Sequence, residues 1–161
     1  MSISSLSHWI QSAQLPTYVR ESELFYPMIM TTHLACIAFF GGLILITDLR
    51  LLGLTMKSTP APVVIAQLRP LKWIGFVIMV TCGILLATAK LDKYYPNPYF
   101  QFKLTLLALT GLHAWVFHRS VYSKTASAEG LPAKLAGILS LVLWTSILSM
   151  GRWIAYYEPP K

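Results

Sequence analysis

Two histidines, His33 and His113, lie within long apolar stretches of this 161-residue chain. An ionisable side chain inside a membrane is costly, and it marks a candidate functional site. Imidazole is also the side chain best suited to holding a haem iron or a transition metal. No Asp or Glu lies deep in the predicted spans beside them. The function therefore depends on what these two rings contact.

The composition indicates a membrane protein. The chain is 55% hydrophobic and 12% charged, about half the charged share of a soluble domain. Four stretches almost free of charge are each long enough to cross a bilayer: residues 25–49, 73–89, 99–117 and 135–154. We expect an all-α protein, one membrane domain over residues 1–161, built as an antiparallel four-helix bundle.

The segments outside these spans predict local features. Residues 4–19 form an amphipathic segment that we expect to lie in the membrane interface, ended or interrupted by Pro16. This N-terminus lacks the basic start and apolar core of a signal peptide. Residues 63–69 are expected to form a short surface helix, stopped or kinked at Pro70. Ala38 and Gly42, four residues apart, predict a close approach of helices.

The net charge of +7 does not indicate nucleic acid as a partner, because basic residues at span ends and in loops orient a membrane protein. The side with the first and third loops carries seven basic and two acidic residues, and the side with both termini carries six and four. Basic residues favour the cytoplasmic side. We expect a multi-pass protein of a bacterial inner membrane with periplasmic termini.

A bis-histidine haem site needs two ligands at similar depth. At 1.5 Å per residue, His33 lies about 12 Å and His113 about 21 Å from the outer ends of their predicted spans. This difference of about 9 Å is within the error of the span boundaries, so His33 and His113 form the predicted pair. His118 lies about 28 Å deep and points about 140° away from His113. It is expected at the membrane interface, or in contact with a haem propionate or a partner.

Structural alternatives remain open for these residues. Each histidine could instead form a hydrogen bond across a helix pair, His33 for example to Thr81, Ser146 or a backbone carbonyl. Arg152, near the outer end of span four, could extend its charge to the headgroups or hold a haem propionate.

The remaining residues offer little chemistry. Asp48 is expected to form a headgroup-level ion pair with Arg69 or Arg119, which leaves no buried carboxylate for a proton relay. Cys36 and Cys82 are expected to be small packing residues. The chain has no phosphate-binding loop and no zinc or hydrolase motif. Catalysis by the protein alone is therefore not expected, whereas electron transfer needs only a bound haem.

Several motifs together resemble a family of small, mostly bacterial, four-span membrane proteins of unknown function. They are the helix with Trp9, Glu21 and Glu23 before Phe25-Tyr-Pro27, His33-Leu-Ala35, the Gly41–Gly42 pair, Asp48-Leu-Arg-Leu-Leu-Gly53, His113 with His118-Arg119, and Gly151-Arg-Trp-Ile-Ala155. The likeness covers nearly the whole chain.

More loosely, the layout is similar to b-type cytochrome bundles, which include hydrogenase and formate dehydrogenase cytochrome subunits and copper-resistance membrane proteins. That resemblance implies that His33 and His113 are axial haem ligands. With one haem b between spans one and three, we expect Arg152 on a propionate and a quinone or redox protein as electron partner. Diheme members place two ligands on one helix face, a pair that this chain lacks. The expected function is a cytochrome-like electron-transfer or anchor subunit.

Two alternatives remain. The first is copper handling by soft ligands in span one, which do not form a clean cluster: Met28, Met30, His33 and Cys36. The second is a cofactor-free structural subunit that packs within a larger membrane complex or a homo-oligomer.

Overall fold

The computed structural model describes Ser5, residues 9–122 and residues 130–158, and this part of the chain is helical without strands. Six α-helices have both ends described: α1 Gln14–Glu21, α2 Phe25–Leu51, α3 Ala61–Ala89, α4 Leu91–Tyr94, α5 Pro98–Phe117 and α6 Gly130–Ile154. A π-helix, His118–Tyr122, continues α5. Helices α2, α3, α5 and α6 are long and apolar enough to cross a membrane. The predicted all-α four-helix bundle is confirmed.

The N-terminal segment is helical in two pieces. Residues 4 and 6–8 of the predicted amphipathic helix lie outside the described residues. The chain turns at Ser12 and Ala13, and Pro16 lies in the first turn of α1, where a missing N–H costs little. Val19 is 3% exposed, because α1 packs against α2 and α3. Gln11 Nε2 donates to Asp92 Oδ1 over 2.6 Å and ties this segment to α4.

The second long helix runs unbroken from Ala61 to Ala89 with Pro70 inside it. Residues 63–69 are helical as predicted, but the expectation that this helix stops at Pro70 is wrong. Pro70 removes one backbone donor, a loss that membrane helices tolerate when neighbouring groups hold the helix in place. The first turns of α3 are buried, because Val64 is only 2% and Ile65 only 4% exposed. The helix thus begins three turns before the predicted span.

Small residues let the helices approach closely, although at other positions than predicted. Helix α2 packs on α3 and α6, and α5 packs on α6. A Cβ added at Gly75 would lie 3.2 Å from the Phe39 ring, and one at Gly137 would lie 3.1 Å from the Asp48 carbonyl oxygen. Ala38 is exposed, and a Cβ at Gly42 would meet nothing within 4 Å. The close approach predicted for Ala38 and Gly42 is wrong.

Asn97 fixes the start of α5 beside the end of α6. Its side chain is 1% exposed. Asn97 Oδ1 accepts from the Tyr99 N–H at 3.0 Å, as an N-capping residue does, and Asn97 Nδ2 donates to the Ile154 carbonyl at 3.3 Å. One side chain therefore caps one helix and ties it to its neighbour.

Candidate functional site

His33 joins α2 to α3. Its Nδ1 lies 2.9 Å from the Met79 carbonyl oxygen, and because a carbonyl only accepts, Nδ1 carries the proton. A Cβ at Gly83 would lie 3.1 Å from His33 Cε1, so the glycine provides room for the ring. The structure therefore gives His33 the backbone-carbonyl partner that was one of the sequence alternatives.

His113 joins α5 to α6 in the same way. Its side chain is 7% exposed, and its Nε2 lies 3.1 Å from the Ala136 carbonyl oxygen. The ring packs against Phe117 and Tyr122, with centroids 5.0 and 6.1 Å away. Each histidine thus uses one nitrogen to hold a neighbouring helix, and in the neutral ring its second nitrogen is an acceptor.

The structure does not bring the two predicted haem ligands together. Gly41 of α2 and Trp144 of α6 lie at the same level, because a Cβ at Gly41 would be 2.5 Å from Trp144 Nε1. His33 lies eight residues before Gly41, or about 12 Å toward the end with the chain termini. Ala136, which holds His113, lies eight residues before Trp144, or about 12 Å toward the opposite end. The two attachment points are therefore about 24 Å apart along the bundle, whereas axial ligands must meet at one iron.

The predicted propionate contacts lie at opposite ends as well. Arg152 is exposed, donates to the Tyr156 hydroxyl and lies with its guanidinium carbon 4.7 Å from the Tyr156 ring centroid. His118 is exposed in the π-helix and lines a pocket together with Arg69 and Lys72. Among the described residues, Arg152 forms no hydrogen bond with His33 or His113.

The soft ligands of span one do not converge. Met28 is 55% exposed on the outside of the bundle, whereas His33 points to α3. Cys36 packs against the buried cluster of Met79 and Trp144, as expected for a packing residue. Across residues 9–122 and 130–158, no group of three or more His, Cys, Asp or Glu side chains is arranged to hold a metal ion.

Asp48 is buried, and the predicted headgroup ion pair is wrong. Its side chain is 2% exposed and accepts a hydrogen bond from Ser140 of α6, while the charge that acts on it comes from Lys72 of α3. Neither Arg69 nor Arg119 forms an ion pair with it among the described residues. Its Oδ2 has no hydrogen-bond partner in the same residues. The expectation that no carboxylate is buried was also wrong.

Two cations of α3 organise the surroundings of Asp48. Lys72 Nζ donates to Thr47 Oγ1 at 3.1 Å, and the Thr47 hydroxyl donates to the Leu43 carbonyl at 2.8 Å. Arg69 Nη2 donates to the Tyr122 carbonyl. Tyr122 ends the π-helix, an element often found at functional sites, so these bonds join α2, α3 and the π-helix at one end of the bundle.

A pocket of about 460 Å³ opens beside this polar group. We call it the basic pocket, and it lies at the loop end of the bundle, where α2 and the π-helix end and α3 and α6 begin. Three basic side chains and four aromatic rings line it together with Ile65: Arg69, Lys72, His118, Phe40, Trp73, Phe76 and Tyr122. In the sequence, the three basic residues of this pocket lie close to aromatic residues, which is a signal for such a site. They meet in one pocket only because α3 continues through Pro70.

A family model described as a family of unknown function, DUF6644, matches residues 9–157, nearly the whole chain. The predicted resemblance to a small four-span family of unknown function is confirmed. No curated protein and no solved structure matches the chain significantly.

Proposed function

Because the chain belongs to this family of unknown function, whose description assigns no activity, we propose from the geometry of its histidines that the protein is a structural membrane subunit. It would anchor or organise other membrane components through a rigid four-helix bundle, without a haem or copper centre of its own. We place it in a bacterial inner membrane with its termini in the periplasm. This is the cofactor-free alternative that the sequence left open.

The placement of the two histidines carries this proposal. His33 and His113 are the side chains best suited to a metal, yet each holds the backbone of a different neighbouring helix. Interhelical hydrogen bonds of this kind stabilise membrane bundles by about 0.6–2 kcal/mol. The two rings link different helix pairs, as expected for side chains that stabilise the bundle.

Electron transfer through a haem remains the competing hypothesis, with a quinone or a docked redox protein as partner. In its neutral form each histidine has a second nitrogen outside these hydrogen bonds, and neutral imidazole is the form that binds iron. A haem held by both side chains of one chain would require the bundle to repack, because their attachment points are about 24 Å apart. The two hypotheses therefore predict opposite results in the same experiment.

The experiment is an absorption spectrum of the protein purified in detergent from cells supplied with ample haem. It is recorded oxidised and then dithionite-reduced, with metal analysis and light scattering on the same sample. We expect no Soret band, no stoichiometric iron or copper, and a defined oligomer or complex. Sharp reduced α and β bands that vanish in both His33→Ala and His113→Ala would overturn the proposal and establish the cytochrome. Stoichiometric copper would establish the copper-handling alternative.

The orientation is tested separately. A reporter that is active only in the periplasm, fused after the C-terminus, should be active, because the more basic loops favour the cytoplasm. An inactive fusion of normal abundance would reverse the proposed topology and leave the structural role unaffected.

A further inference from the structure

We propose that the basic pocket binds the phosphate of an anionic phospholipid. Arg69, Lys72 and His118 would hold the headgroup, and the aromatic rings would contact the glycerol and upper acyl chains. This ligand site goes beyond the structural role proposed above and does not depend on it.

The basic side chains of the pocket have N–H donors that are not used among the described residues. An ammonium carries three donors and a guanidinium five, while Lys72 donates once, to Thr47, and Arg69 once, to Tyr122. His118 forms no hydrogen bond within the described part of the chain. These bonds already restrict the side chains of Lys72 and Arg69. Binding a phosphate would therefore cost little additional side-chain conformational entropy.

The charges favour an anion. Arg69, Lys72 and His118 line the pocket, and no acidic side chain does. Asp48 acts on Lys72 from within the bundle and offsets one positive charge. Arg69 keeps the pocket positive.

The aromatic lining distinguishes a lipid from a free anion. Trp73 is 62% exposed and Phe76 40%, and their ring centroids lie 5.6 Å apart. Phe40 continues the surface, 5.9 Å from Phe76. Tryptophan and other amphipathic aromatics lie at the headgroup level of membranes. A phosphate with an attached apolar body fills both halves of this pocket, whereas inorganic phosphate fills only the basic half.

The location fits this ligand. Among the described residues, the loop end carries six basic side chains against one acidic side chain, Asp48. Basic pockets between membrane helices on the cytoplasmic side bind anionic headgroups. The charge of the bundle end and the chemistry of the pocket thus favour the same class of lipid.

The test measures the thermal stability of the delipidated protein in detergent during titration with phosphatidylglycerol, phosphatidylcholine or inorganic phosphate. Native mass spectrometry counts the lipids that remain bound. We expect saturable stabilisation by phosphatidylglycerol alone, with one lipid per chain. Arg69→Gln should weaken binding about tenfold, as expected for the loss of a charge-assisted hydrogen bond. His118→Gln, which removes no described contact, should weaken it by a smaller factor.

Arg119→Gln is the matched control, because Arg119 is an exposed cation beside His118 that does not line the pocket. It should bind phosphatidylglycerol like the unaltered protein. Equal weakening by Arg119→Gln would reduce the effect to general surface charge and overturn the proposal. Saturation by phosphatidylcholine or by inorganic phosphate would also overturn it, and the latter would identify a free-anion site. If Arg69→Gln does not fold, His118→Gln decides the outcome, and unchanged binding in it rejects the proposal.

Discussion

Gly41 of α2 lies directly against the indole of Trp144 of α6. A Cβ at Gly41 would be 2.5 Å from Trp144 Nε1 and 3.1 Å from its Cε2. The indole also meets Phe40 edge to face, with ring centroids 5.4 Å apart. Trp144 is 8% exposed and forms a buried cluster with Met79 and Ile147. This contact sets the distance between α2 and α6 and the level at which they meet.

Gly41→Ala should therefore destabilise the bundle by about 1–3 kcal/mol, because an added methyl group in a tight core displaces its neighbours. Gly42→Ala is the matched control, because a Cβ there would meet nothing within 4 Å. Alanine favours a helix over glycine, so the control should be neutral or more stable by up to about 1 kcal/mol. Denaturant titration in detergent micelles measures both. Trp144→Phe, which removes the crowded indole atoms, should partly rescue Gly41→Ala, and its failure to do so would contradict the contact.

His33→Ala and His113→Ala should each lower stability by about 0.6–2 kcal/mol, the range for one hydrogen bond between membrane helices. The two losses should add, because the rings tie different helix pairs and distant sites act independently. Thermal unfolding of the single and double variants tests this. A strongly non-additive double variant would indicate a shared site and favour the haem hypothesis.

Asp48 and Lys72 should depend on each other. Removing one charge leaves the other buried without its opposite charge, which is costly. Asp48→Asn and Lys72→Gln should each destabilise the protein, and the double variant should lose less than the sum by about 0.5–3 kcal/mol. A double-mutant cycle on unfolding free energies measures this coupling. Additive losses would show that the charges do not interact.

Tyr94 should make the terminus end of the bundle sensitive to alkaline pH. Burial raises the pKa of Tyr94, and its hydrogen bond with the Tyr26 hydroxyl acts in the same direction. Because the folded pKa exceeds the unfolded value of about 10, the contribution is complete below about pH 10 and is lost as pH rises toward the folded pKa. Melting temperatures between pH 9 and 11 should fall less steeply in Tyr94→Phe. Tyr95→Phe, at a residue that is 41% exposed, should retain the original slope.

Much of the fold follows from local composition. Apolar stretches long enough to span a membrane predicted all four long helices, since helix length and hydropathy are sums over one segment. The motifs from Trp9 to Ala155 identified the family. Helix α3, which contains Pro70, was predicted to begin too late, because a proline tends to end a helix. In the structure, the burial of Val64 and Ile65 holds the turns before Pro70 in place.

The site needed tertiary information. The sequence identified His33 and His113 as the side chains with metal-binding chemistry, but their relative depth was estimated from predicted span ends. The Gly41–Trp144 contact fixes the actual level, and it separates the two attachment points by about 24 Å along the bundle.

Asp48 shows the same limit. Its position near a helix end suggested the membrane surface, yet α3 and α6 cover it, and Lys72 and Ser140 become its neighbours. Types of residue and lengths of helix are properties of the chain itself. The level and rotation at which helices meet depend on contacts between residues far apart in sequence, and these decide which groups share a site.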